Sequence, residues 1–249
     1  MTSLLQDVYD KTHRGRLMSE RVVLGHLHLR SSRVDGPDDP DVRYPKMQYD
    51  ERYTEYIRKT GLLPFVNLVA RGMPKFNPCL ITALVDRWRP ETHTFHLPCG
   101  EMTVTLQDVA MITGLPIRGD PICLSTNTDG WRGLMTSFLG MEPEIPNRSA
   151  GAPFGWIAKN FGTCPPGLDE RSEGVQQHAR AYLWYVLSRA LFSDGGGSNA
   201  PFMWLQLLAV WDSNLSWGTT ALSFLYRQVN KHRQFNLFLT LNEMYSVPN

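Results

Sequence analysis

The chain has 249 residues, of which 42% are hydrophobic and 11% aromatic, and its formal net charge is +1. This composition supports one large or two small packed cores and excludes a chain that is disordered throughout. Acidic and basic residues nearly balance, so there is no global electrostatic case for a nucleic-acid or membrane surface. Any such binding must be local.

The N-terminal part of the chain is basic. Residues 1–16 are predicted to form a short helix and a basic arm, and a dispersed set of arginines and lysines continues to residue 33. Arg14, Arg16 and Arg21 are the candidate nucleic-acid contacts. Apolar residues interrupt the segment, which favours a solvated helix face over a binding site. Asp7 and Asp10, with no long apolar run beside them, argue against a secretory signal.

Helix signals follow in order. Asp50 caps a predicted helix over 51–60 that ends at Gly61, and Asn77-Pro78 is a typical helix start. The other predicted helices are 130–139, 154–161, 173–192, 201–211 and about 219–231, with a loop expected at 142–153. The longest apolar stretch, 201–211, is too short to span a bilayer. The four cysteines are widely spaced, which suits reduced thiols better than a disulfide framework.

The local signals agree best between residues 95 and 120. Two alternating segments flank Cys99-Gly100-Glu101 and predict a β-hairpin. Thr105 is then placed to cap a helix, and Gly114 to end it. We predict that this hairpin and capped helix form a structural hub, whose members are Phe95, Leu97, Gly100, Thr105, Asp108, Val109 and Gly114. Leu106, Val109, Ala110 and Thr113 form the stripe of the helix that should face inward.

Two groups of residues could form a functional site. His93, His96 and Cys99 offer zinc-type ligands, but residues three apart on a strand point to opposite faces, so a structural role is favoured. Residues 105–116 are typical of the first helix and turn of a helix-turn-helix domain. The following Pro116-Ile-Arg-Gly-Asp-Pro cannot form a recognition helix, so a simple helix cap is favoured. We therefore expect no catalytic residues, no cofactor and no metal ligands.

Residues 83–122 and three later segments of the chain are similar to a known protein family. The later segments are Ala179–Leu183, Leu191–Asp194 and the stretch from Ser216 to Arg227. In sequence and order they resemble the plant mobile domain, which occurs in plant transposable elements and in host nuclear proteins apparently derived from them. The resemblance covers roughly residues 17–229.

The fold is expected to be a single compact multi-helix domain, mainly α, with one small β-hairpin. The function is inferred from the resemblance. The family implies a non-enzymatic nuclear module that acts through other nuclear proteins in meristem development, gene expression and transposon silencing. A phosphoprotein phosphatase 7-like protein is one expected partner. A nucleic-acid-binding module retained from a mobile element is the alternative, although the charge balance disfavours it. No membrane association is expected.

The C-terminal residues 230–249 are where the chain departs from the family pattern. We expect an atypical tail there, in a chain that is truncated or ends differently from its relatives. The loss of a covering helix would leave Leu222, Leu225 and Val229 as an apolar patch.

Overall fold

The computed structural model describes residues 47–71, 78–124, 129–146, 149–193 and 198–245. The predicted N-terminal arm, with Arg14, Arg16 and Arg21, lies outside the described residues. The described residues form nine α-helices and two small antiparallel sheets. The prediction of a mainly α fold with a small hairpin is therefore confirmed.

The elements have the following bounds. The helices are α1 Thr54–Lys59, α2 Leu63–Ala70, α3 Pro78–Asp86, α4 Leu106–Thr113, α5 Trp131–Leu139, α6 Phe154–Phe161, α7 Glu173–Val186, α8 Phe202–Gln206 and α9 Trp217–Tyr245. The strands are β1 Trp88–Arg89, β2 Thr94–Leu97, β3 Gly100–Met102, β4 Gly151–Pro153 and β5 Asn199–Pro201. A 3₁₀ turn, Glu51–Tyr53, precedes α1, and a π-helical turn, Leu187–Leu191, continues α7.

The chain divides into two compact units. The hairpin unit consists of Met1–Leu29, Pro74–Thr105 and Leu222–Asn249, and the helical unit of Arg30–Met73 and Leu106–Ala221. Compact units of this kind do not by themselves define functional domains. The assignment of residues 17–229 to one functional domain, between an N-terminal arm and a C-terminal tail, stays a prediction.

Helix α7 is the centre of the helical unit. Ser172 caps its start by accepting a hydrogen bond from the Val175 amide, as its sequence position allows. Every residue from Ala179 to Ser188 is buried, on all sides of the helix. A helix that is buried all round lies inside a core rather than on its surface. The predicted helix over 173–192 is confirmed, with its last turn in π geometry.

A second small sheet was not predicted from the sequence. β4 pairs with β5 in antiparallel register, Ala152 opposite Ala200. Each strand has only three residues and ends in proline, which gives no alternating pattern to recognise. The end of the predicted loop at 142–153 is therefore a strand.

The hairpin unit has a three-stranded sheet in the order β1-β2-β3. Trp88 of β1 lies opposite Phe95 of β2, which in turn lies opposite Met102 of β3. The small core of this unit contains Val85, Trp88 and Val229. The predicted hairpin is confirmed, but its turn is Pro98-Cys99 and not the predicted Cys99-Gly100-Glu101, because Gly100 and Glu101 pair with β2. β1 adds an edge strand to it.

Two predicted helices have different lengths in the structure. The helix expected over 201–211 ends at Gln206 and continues as tight turns. The Leu208 carbonyl accepts a hydrogen bond from Arg180 Nε at 3.2 Å. The helix expected over about 219–231 extends to Tyr245 as α9, because residues 232–245 contain neither proline nor glycine to stop it.

Candidate functional site

Helix α4 begins and ends where its sequence predicts. It starts at Leu106, directly after Thr105, and Gly114 follows its last residue with a φ of +69°. This left-handed conformation favours glycine, and a Cβ on Gly114 would come within 2.6 Å of the Pro64 side chain. Both backbone geometry and packing therefore require glycine at this position.

The two faces of α4 differ in burial as the predicted stripe requires. Val109 is buried, and Leu106, Ala110 and Thr113 are partly buried. The opposite face has four exposed residues, Gln107, Asp108, Met111 and Ile112. This outward face is called the α4 face below.

The α4 face carries two large apolar side chains in water. Met111 is 77% exposed and Ile112 is 70% exposed, the highest values among the large hydrophobic side chains that the structure describes. Burying one such side chain is worth about 1.5–3 kcal/mol. Gln107 and Asp108 lie one turn earlier on the same face, so the apolar pair is bordered by polar groups, as in the centre of a protein interface.

The predicted hub residues are divided between the two compact units. Phe95 and Leu97 are half-buried in β2, and Gly100 begins β3 with a φ of +126°. Thr105 and Asp108 are exposed. The hub residues up to Thr105 belong to the hairpin unit, and Asp108, Val109 and Gly114 belong to the helical unit. Their joint role as a hub stays a prediction.

His93, His96 and Cys99 have separate surroundings. His96 Nε2 lies 3.1 Å from Glu101 Oε1 across the hairpin, and the His93 ring stacks on Tyr226 with their centroids 5.1 Å apart. Cys99 is an exposed free thiol near Met102. Within the described ranges, no three His, Cys, Asp or Glu side chains are grouped so that they could hold a metal ion.

Sequence reasoning did not identify the role of Tyr226. Its hydroxyl donates to the Val104 carbonyl at 2.7 Å and lies 2.9 Å from Thr103 Oγ1, while its ring packs on Trp88 and His93. Tyr226 lies far from these residues in sequence, so no local pattern could have paired them.

Two tyrosine hydroxyls in the helical unit have perturbed acidity. Burial raises the pKa of Tyr182 to about 12, and it also raises the pKa of Tyr53. Their rings lie 5.8 Å apart, between the 3₁₀ turn and α7. A phenol with a raised pKa stays protonated at neutral pH, so both rings act as neutral packing groups.

The described helices include none that is both long enough and apolar enough to cross a membrane.

Comparison with known proteins gives consistent matches. The model of the family described as plant mobile domain matches residues 65–243. Three relatives from Arabidopsis thaliana are similar: Protein MAIN-LIKE 2 (42% identity over 61% of this chain), Serine/threonine-protein phosphatase 7 long form homolog (40% over 60%) and Protein MAINTENANCE OF MERISTEMS (34% over 66%). No solved structure gives a significant match.

These relatives are much longer than the matched segment. The matches cover 22% of Protein MAIN-LIKE 2, 11% of the phosphatase 7 long form homolog and 34% of Protein MAINTENANCE OF MERISTEMS. The shared segment is thus a minor part of each relative, and the activity of a whole relative does not transfer with it.

Proposed function

Since the chain belongs to the plant mobile domain family, we propose that it is a non-enzymatic nuclear protein-interaction module of transposon-derived type. Its proposed roles are in meristem development, gene expression and transposon silencing. The name of one relative, MAINTENANCE OF MERISTEMS, supports the developmental role. The match to the phosphatase 7 relative covers 11% of that protein, which is too little to carry its catalysis over.

The observation that carries the interaction role is the α4 face. Because Met111 and Ile112 are so exposed, they contribute little to the folding free energy of the isolated chain. A partner that covered them would bury both side chains, and this burial would stabilise the complex. A helix face with an apolar centre and polar border is a common recognition element. The proposed partner is another nuclear protein, with a phosphoprotein phosphatase 7-like protein as the first to test.

The test combines localisation with partner capture. A fluorescent fusion of the chain in plant cells is expected in the nucleus. Proximity labelling with the same fusion is then compared between the natural chain and the Met111→Lys/Ile112→Lys double variant. Because both side chains are exposed, the variant is expected to fold normally and to lose labelling of its direct partners at least tenfold.

The matched control is Val210→Lys. Val210 is another exposed apolar residue of the helical unit, at 61% exposure, and it lies outside α4. The control is expected to keep the partner set. Equal labelling by the natural chain and the α4 double variant, or exclusion of the fusion from the nucleus, would overturn the proposal.

A further inference from the structure

A cleft of about 590 Å³ lies within the hairpin unit. It is lined by His93, Ser223, Tyr226, Arg227, Asn230 and Lys231. His93 comes from the turn before β2, and the other five residues come from neighbouring turns of α9. The lining contains no carboxylate. The Tyr226 hydroxyl already donates to the Val104 carbonyl, and each of the other five side chains can donate a hydrogen bond to a ligand. Its chemistry is therefore that of a site for an anion.

His93 holds an unusual backbone conformation at the edge of this cleft. Its φ is +54°, the only positive value among the described residues that are not glycine. Such a conformation costs on the order of 1–3 kcal/mol in a side-chain-bearing residue and is concentrated at functional sites. The Thr103 hydroxyl donates to the His93 carbonyl at 2.6 Å and helps to hold the turn.

The strained turn presents an aromatic ring to solvent. His93 is exposed, and its ring lies parallel to Tyr226, with an interplanar angle of 4°. Tyr226 is fixed from behind by its hydroxyl contacts to Thr103 and Val104. Trp88 Nε1 donates to Asn230 Oδ1 at 2.6 Å, which leaves the amide N–H groups of Asn230 as donors. The cleft therefore has a fixed platform rather than loose surface side chains.

Two cationic side chains lie beside the stacked rings of His93 and Tyr226. Arg227 and Lys231 are both exposed on α9 and are one helical turn apart. Over the part of the chain that the structure describes, neither forms a salt bridge with a carboxylate. Among the described residues, both charges are therefore available to a ligand, although the chain as a whole is nearly neutral.

We propose that this cleft binds a short segment of single-stranded nucleic acid. One base stacks on the exposed face of His93, and the flanking phosphates contact Arg227 and Lys231. A cationic groove beside an aromatic ring is how single strands are bound with little sequence preference. This inference goes beyond the proposed interaction role and does not rest on it.

The geometry favours a single strand over two other anions. A duplex keeps its bases stacked internally, so it could not use the His93 ring. A phosphopeptide presents one concentrated charge and is recognised by converging arginines. Here the cleft has one arginine, and its cations are spread along a helix beside a ring.

The experiment measures fluorescence anisotropy of labelled twelve-nucleotide single strands, DNA and RNA, with the full chain at several salt concentrations. Binding is expected with a Kd on the order of 1–100 μM. Two phosphate contacts predict a slope of log K against log salt of about −1.4, since each contact to a single strand contributes about −0.7. A duplex of the same length and a phosphoserine peptide are measured in parallel.

The variants separate charge from stacking. Arg227→Ala and Lys231→Ala should each weaken binding and reduce the magnitude of the slope by about 0.7. His93→Asn removes the ring but tolerates a positive φ, so it should weaken binding by roughly tenfold without changing the slope. Arg118→Ala, an exposed arginine of the helical unit, is the matched control and should leave binding unchanged. Thermal melts verify that every variant is folded.

Several results would overturn the proposal. They are an absence of binding, an affinity that the Arg227 and Lys231 variants leave unchanged, and tighter binding of the duplex or the phosphopeptide. Loss of all binding in an Arg14→Ala/Arg16→Ala/Arg21→Ala variant, with no effect of the cleft variants, would assign the activity to the N-terminal arm instead. Retained binding in that triple variant, together with loss in the cleft variants, supports the cleft.

Discussion

Helices α7 and α4 belong to the same unit but use their apolar residues in opposite ways. In α7 the whole circumference from Ala179 to Val186 is buried, whereas α4 buries one stripe and leaves Met111 and Ile112 in water. The apolar side chains of α7 therefore stabilise the folded core. Those on the α4 face contribute little to folding and are available to a partner. Stability measurements can separate these two roles.

The largest expected effect is in α7. Leu183 is completely buried, so Leu183→Ala removes apolar contacts and leaves a cavity, at a cost of about 3 kcal/mol in the free energy of unfolding. Chemical denaturation measures this cost. Ile112→Ala, on the α4 face, is the matched control and is expected to change stability by less than about 0.5 kcal/mol. Similar costs at the two sites would contradict the comparison.

The second effect concerns a buried cation of α7. Arg180 donates to the Leu208 carbonyl at 3.2 Å and to the Phe138 carbonyl at 3.4 Å, and it forms an ion pair with Glu173. Arg180→Met keeps an unbranched apolar chain but leaves both carbonyls without this donor, so a loss of about 2 kcal/mol is expected.

Arg132 provides the control for that measurement. It pairs with Glu142 and is 40% exposed, so Arg132→Met should cost no more than about 1 kcal/mol. Denaturation midpoints of the two variants give the comparison directly. If Arg180→Met is the milder of the two, the buried hydrogen bonds of α7 do not have the stabilising role assigned to them.

The third effect tests the start of α4. Thr105 is exposed, so Thr105→Ala removes almost no packing, and its expected cost of about 1 kcal/mol is that of a lost helix cap. Thr105→Ser keeps the capping hydroxyl and should stay close to the natural chain. Thermal melts of the pair provide the measurement. Equal stability of the two variants would show that Thr105 does not cap α4.

The smallest expected effect is a pH dependence of the unfolding free energy, and it arises at the 3₁₀ turn that packs on α7. Hydrogen bonds from the Arg52 side chain lower the pKa of Asp50. A lowered folded-state pKa means stability that is present above the unfolded value, about 3.9, and is lost as the pH falls through the folded value.

The variant for that test is Asp50→Asn. At pH 7 it should be less stable than the natural chain by under about 1 kcal/mol, and the difference should shrink below about pH 4. Unfolding curves between pH 2.5 and 7 measure the difference. A gap that stays constant over this range would rule out the charge of Asp50 as its source.

The features that the sequence predicts correctly are local ones. The inward stripe of α4 follows from helical spacing, and the end at Gly114 follows from the freedom of glycine at positive φ. The long helix α7 is equally evident from the apolar stripe that runs along residues 173–192. In each case the residues that carry the information are within a few turns of one another.

The features that the sequence does not reveal depend on distant contacts. β4 and β5 pair across a long stretch of chain, and Gly151 is needed there because a Cβ would come within 2.3 Å of the Ala200 carbonyl oxygen. The cleft depends on His93 meeting Tyr226, and the strain at His93 becomes visible only in the backbone angles. The exposure of Met111 and Ile112 could be predicted from the stripe, but its extent could not.

The π-helical turn after α7 bears on how chain length varies within this fold. The Phe192 amide bonds the Leu187 carbonyl at 2.7 Å, which spans one residue more than an α-helical hydrogen bond. A π turn thus accommodates one extra residue while the side chains before and after it keep their directions. Deleting a single residue from Leu187–Leu191 would convert the turn to regular α-helix and still bring Phe192 onto Trp204, with which it stacks at 4.0 Å. A one-residue gap at this point in an alignment of two relatives would therefore mark a change of helix type and leave the fold intact.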